Sequence, residues 1–166
     1  MERFANFDQF ATFLQQNNIP HKLDRDLGLV ELVVNAPPLP NFIYVKWDKN
    51  FPIVTFVQMM IQNVPPARIQ DLEAAASRLN TLMEIGGFCY DYEQNRVFSR
   101  FTVPLFDGIS ATAFQRTFEL VVKNARGFLP LFQKVVDGAP GIEIERLARE
   151  HAAELQRQAQ PVKLPD

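Results

Sequence analysis

Cysteine is nearly absent from this chain. Cys89 stands alone among 166 residues, so no disulfide can close within the chain, and a reducing compartment is the simplest setting. Histidine occurs only as His21 and His151, in separate segments with no paired spacing, which leaves no basis for a zinc-type metal site. Charge of one sign is not in excess either. Lys and Arg number 17 against 19 Asp and Glu, for a net charge of -2 and a pI near 5.7, without the basic stripe that nucleic acid binding calls for. No apolar run reaches the length of a membrane span, and the longest, Ile53 to Ile61, is interrupted by Thr55 and Gln58. The first residues, Met1 to Phe10, are amphipathic and lack the apolar centre of a signal peptide. No Asn-X-Ser/Thr sequon occurs. These absences predict a cytoplasmic protein with neither a membrane nor a nucleic acid partner.

What is present is phenylalanine. There are 15 Phe beside 3 Tyr and 1 Trp, in a chain that is 47% hydrophobic and 22% charged. The length suits one domain with a substantial core. A phenylalanine ring has no polar handle, so these side chains belong either in that core or in an apolar interface.

Along the chain, residues 2 to 17 read as a helix, with Phe4, Phe7, Ala11 and Leu14 on one face and Phe10 and Phe13 beside it. Asn17-Asn18 and Pro20 end it. The period then changes to two. His21–Asp24, Val30–Val34, Phe42–Trp47 and Pro52–Gln62 read as strands. They are separated by a turn ending in Gly28, by the stiff segment Ala36–Pro40, and by the hairpin turn Asp48–Asn50. The stretch Val64–Phe88 follows. Pro66 suits a first helical turn, and Ile69, Leu72, Ala76, Leu79 and Met83 mark one helix face up to Gly86-Gly87. A hairpin from Phe88 to Val103 turns at Glu93–Arg96. Thr112 and Gln115 stand at capping-box spacing and open a third helix, which Pro130 is expected to kink or break. After Asp137–Gly141 a charged helix carries only a thin stripe of Ile144, Leu147, His151 and Leu155. Residues 161 to 166 read as a disordered tail.

The expected fold is therefore α+β, an antiparallel sheet flanked by helices, in the order helix, three or four strands, helix, two strands, helix, with a further C-terminal helix. Residues 1 to 138 form one domain. Residues 139 to 166 are a charged helix and tail, expected to lie lightly on that domain or across a neighbouring subunit.

Several short motifs occur in a familiar order. Val64-Pro65-Pro66-Ala67-Arg68 opens the central helix, Arg78-Leu79-Asn80 lies near its end, and Gly87-Phe88-Cys89-Tyr90-Asp91 starts the following strand. With Phe114–Val136, including Asn124 and Pro130-Leu131, they resemble the YbjN-like family, also labelled bacterial sensory transduction regulators. That family shares its fold with class I type III secretion chaperones. The resemblance covers roughly residues 4 to 137. Glu93-Gln94-Asn95 replaces the family's frequent Asp-Gly turn, and the helix after Gly141 lies outside the shared pattern. The resemblance implies a chaperone-like fold, a homodimer, and binding of a protein or peptide client. It implies no chemistry and no cofactor.

The residues themselves point the same way. Cys89 lies between Phe88 and Tyr90, where a lone thiol is commonly a small buried hydrophobe, and nothing in the sequence supplies a base for it. Gly86-Gly87 sits between helix and strand, the reverse of a phosphate loop. Phe56, Met59 and Met60 lie on a strand that is apolar on both faces, hence either core or an adaptable interface. Arg68 and Asn80 are either partner contacts or, respectively, a surface charge and a capping residue. The expected protein is a non-enzymatic, dimeric binding module with Phe56, Met59, Met60, Arg68 and Asn80 as candidate partner contacts. A small-molecule sensor or enzyme with a cleft near Cys89 is the alternative.

Overall fold

The computed structural model of the chain describes residues 3–33, 42–83 and 86–158, with side chains as far as Ala153. The expected Ala36–Pro40 connection and the C-terminal tail lie outside the described residues. The alternating segments form one antiparallel sheet. Its strands are β2 (His21–Asp24), β3 (Leu29–Val33), β4 (Phe42–Trp47), β5 (Ile53–Gln62), β6 (Gly87–Asp91) and β7 (Arg96–Pro104), in the spatial order β2-β3-β4-β5-β7-β6. A separate ribbon pairs β1 (Arg3–Phe4) with β8 (Ile109–Ser110). The helices are α1 (Phe7–Gln16), α2 (Ile69–Asn80), α3 (Ala111–Val136) and α4 (Ile144–Gln158). The expected α+β architecture is present.

Strand alternation decides which face is covered. Val30, Leu32, Ile43, Val45, Val54, Phe56 and Phe101 point to α1 and α3, while Phe88 and Val97 point to α2 and the second half of α3. Two apolar clusters result on the same face. Between them, on β5 and β7, runs the polar pair Gln58 and Ser99. Gln58 is 1% exposed and donates through Nε2 to Phe42 O at 3.3 Å and Met59 O at 3.1 Å. Helix α3 spans both clusters. Much of the phenylalanine excess is spent in the first: Phe114 lies 4.6 Å from Phe10, 5.2 Å from Phe56 and 6.5 Å from Phe4, ring centre to ring centre.

Helix ends differ from the sequence expectation for identifiable reasons. Asn6 sits in extended backbone and its Oδ1 accepts from Gln9 N at 3.0 Å, so α1 starts at Phe7 rather than residue 2. Phe4, released from the helix, pairs with Ile109 and is fully buried. Phe10, rather than Phe7, faces the core. Ser110, not Thr112, caps α3, its Oγ accepting from Ala113 N at 3.1 Å. Helix α3 continues through Pro130 to Val136. Proline removes one rung of the ladder, yet Leu129, Leu131, Phe132 and Val135 are buried around it, and that packing holds the helix together.

The segment after residue 138 is also corrected. Gly141 lies so close to α2 that a Cβ there would stand 1.8 Å from Asp71 O, and its N–H donates to Asp71 Oδ1 at 2.9 Å. Ile144 is fully buried and Leu147 is 9% exposed, both in the α2–α3 cluster. The first half of α4 is part of the core, and the core runs across the expected boundary.

Candidate functional site

Of the five candidate contacts, three are interior. Phe56, Met59 and Met60 are 0%, 2% and 5% exposed. A register shift between Met59 and Ile61 inserts Met60 as an extra residue, so three successive side chains are buried at one point of β5. A strand apolar on both faces is here the central strand of the sheet, and these three side chains contribute no surface in this conformation.

Arg68 and Asn80 join elements of this same chain. Arg68 Nε donates to Val135 O at 2.8 Å and a terminal nitrogen to Ala139 O at 2.5 Å, while the other pairs with Asp71 at 2.9 Å. The guanidinium thus gives a second donor to Val135 O, which also accepts from Gly138 N at 3.2 Å, ties down Ala139 O just beyond the helix, and meets the negative end of the α3 dipole. Asn80 reads the backbone of β6: its Oδ1 accepts from Phe88 N at 2.6 Å and its Nδ2 donates to Phe88 O at 2.9 Å. Those two backbone groups point away from β7, so Asn80 stands where another strand would pair. Gly87 makes room, since a Cβ there would meet Asn80 Oδ1 at 3.1 Å.

Cys89 is half-buried on β6, beside a recess of about 360 Å³ lined by Asn80, Gly86, Arg100 and Thr102. His21 lies on β2, at the opposite edge of the sheet, and its Nδ1 is 2.6 Å from Ile19 O. The structure brings no base on β2 to the thiol. Among the described residues no group of His, Cys, Asp and Glu could hold a metal ion, and no helix is long and apolar enough to cross a membrane.

The arrangement best suited to binding lies elsewhere, where α1 ends and α3 begins. A groove of about 340 Å³ opens between Phe13 and Leu14 of α1, Leu32 and Val33 of β3, and Phe114 and Phe118 of α3. Among the described residues its only polar lining is Thr112 and Gln115, with no titratable group. Such a lining accepts uncharged apolar side chains and offers no acid, base or nucleophile. Val33 remains 53% exposed at its mouth. Ile19 lines the groove immediately before β2, and Val33 N donates to Pro20 O at 3.2 Å, so the groove abuts the start of β2. That strand pairs only with β3 among the described residues. One edge of the sheet is thus blunted by Asn80, and the other is open next to an apolar groove. The sequence signalled this groove only indirectly, through a first helix with more phenylalanine than one buried face needs.

Comparison with solved structures assigns the architecture. YbjN from E. coli superposes with a TM-score of 0.55 at 10% identity, over 80% of this chain and 90% of that one. A structure of the HopA1–SchA chaperone–effector complex matches with a TM-score of 0.54 at 17% identity, over 75% and 94%. The ExsC–ExsE complex gives 0.54 at 11% identity, over 74% and 89%. The fold is that of YbjN and the type III secretion chaperones. No protein-family model and no curated protein matches the sequence. Identities this low speak for the fold alone.

Proposed function

We propose that this chain is a non-enzymatic, chaperone-like module that holds an extended apolar segment of a partner protein. The observation that carries it is the uncharged groove between α1 and α3 set against the open edge of β2. A segment laid along β2 would gain main-chain hydrogen bonds, and its alternate side chains would enter the groove. Two neighbours of the fold are complexes described as chaperone with effector or as a named pair, which supports a protein as the occupant. A homodimer, as the family resemblance implies, in the cytoplasm, as the composition suggests, is part of the proposal.

The test is suppression of aggregation of reduced insulin B chain, followed by light scattering. The chain is expected to slow aggregation near equimolar ratio. Val33→Asp, which changes an exposed position, should leave folding intact and weaken the effect about tenfold, the worth of one apolar side chain losing its site. Full protection by the Asp variant would place the client elsewhere.

A further inference from the structure

The sheet has a second face, and it carries a different chemistry. Both core clusters lie on the helix side; no described helix packs on the other. There, register places Lys46, Thr55 and Thr102 in one row and Tyr44, Val57 and Arg100 in the next, with Met59 and Phe98 beyond. Thr55 and Thr102 hydroxyls meet at 3.2 Å across β5 and β7. The centre of this face is a depression of about 530 Å³.

Its carboxylates are already committed. Glu31 accepts from Lys22 Nζ at 2.9 Å. Asp91 accepts from the backbone N–H groups of Gln94 and Glu93 and from Arg96 Nε at 3.1 Å, and these bonds hold its carboxyl below the ordinary value. Asp48 accepts from the N–H groups of Asn50 and Phe51, which likewise hold it low. Lys46 and Arg100 are exposed, and neither side chain has a hydrogen bond or ion pair with any described residue, although Lys46 lies near enough to Asp48 to help hold its carboxyl low. In a chain of net charge -2, this face nevertheless carries two cations, Lys46 and Arg100, that no carboxylate of the described residues pairs.

We propose that the helix-free face of the sheet docks an extended acidic segment of a partner protein, its carboxylates meeting Lys46 and Arg100 and an apolar side chain between them resting on Val57 and the methyl of Thr55. The proposal rests on the protein-holding role and adds a second surface to it. Lys46 and Arg100 stand two strands apart across the sheet and one same-face step apart along it, about 12 Å between backbones. Same-face residues four apart on an extended segment are separated by about 13 Å. The pattern acid, spacer, apolar, spacer, acid therefore fits the pair of cations, and arginine adds a bidentate preference for carboxylate.

The probe is a fluorescein-labelled peptide Gly-Glu-Ser-Leu-Ser-Glu-Gly, with a Lys-for-Glu counterpart, read by anisotropy at low salt. Each exposed ion pair contributes severalfold at most, so two should favour the acidic peptide about tenfold. The double variant Lys46→Glu, Arg100→Glu should reverse that preference, with its melting temperature unchanged. Equal binding of both peptides, or an unchanged preference in the double variant, would overturn the proposal. So would equally tight binding of an oligothymidylate, which would make the face a general anion surface. A silent acidic peptide alongside retained protection of insulin B chain would remove this surface and leave the groove standing. Loss of both would remove the protein-holding role as well.

Discussion

Asn80 does for β6 what a neighbouring strand would do, and that makes a clear prediction. In Asn80→Ala the N–H and C=O of Phe88 lose their partners, at a cost of about 2 kcal/mol for two partly buried backbone groups. For a domain of this size the melting temperature should fall by roughly 4–8 °C. Asn80→Asp keeps the acceptor for Phe88 N, loses the donor to Phe88 O, and should fall between. An unchanged melting temperature would return Asn80 to the role of a surface contact. The sequence singled out Arg68 and Asn80, but their purpose was not visible in it. Arg68 binds carbonyls 67 and 71 residues away, and no local pattern reports a partner at that separation. Local features were legible where the chemistry is local. Gly28 has φ +62, as its turn requires, with no space for a Cβ beside Trp47 O at 2.6 Å. Asn18 and Asn95 take the left-handed backbone at φ 52 and 49, which asparagine tolerates. Asn95 also bonds Val64 O at 2.9 Å and so ties the hairpin to the approach to α2.

Among elements, α4 shows where periodicity misleads. Its thin apolar stripe looked insufficient to hold a helix, yet two of its residues enter an existing core rather than form one of their own. Burying Ile144 and Leu147 is worth about 3–5 kcal/mol. The contacts of Gly141 with Asp71 and of Glu145 with Arg78 at 3.2 Å then fix the approach to α2. Truncation after Gly138 should therefore lower stability to denaturant by at least about 3 kcal/mol. A truncated chain with the midpoint of the full one would mean that α4 is only a light cover. Strand β5 teaches the complementary lesson. Its two apolar faces belong to a strand inside the sheet, between β4 and β7. Whether the second face was core or interface depended on the shift at Met60 and on neighbouring β4 and β7, which only the assembled sheet supplies. Phe56→Asp is accordingly no probe of dimerisation, since a buried charge at a fully enclosed position would unfold the chain.

For the whole molecule, the order of elements and the class of fold were legible because alternation, helix faces and turn residues agree with one another. The groove was not, because its walls come from α1, β3 and α3, and their meeting depends on how α3 crosses the sheet. Its character follows from the same packing that builds the core: phenylalanine shared between the interior and a surface channel, beside a strand edge that nothing described closes. The most direct measurement is a titration of the isotope-labelled chain with a short peptide alternating leucine and serine, following backbone amide shifts by NMR. A protein-holding role at this groove predicts saturable shifts concentrated at residues 13–24, 32–33 and 111–118, with amide protection appearing along β2. Shifts confined to the strand around Cys89, or no saturable shift at all, would contradict it.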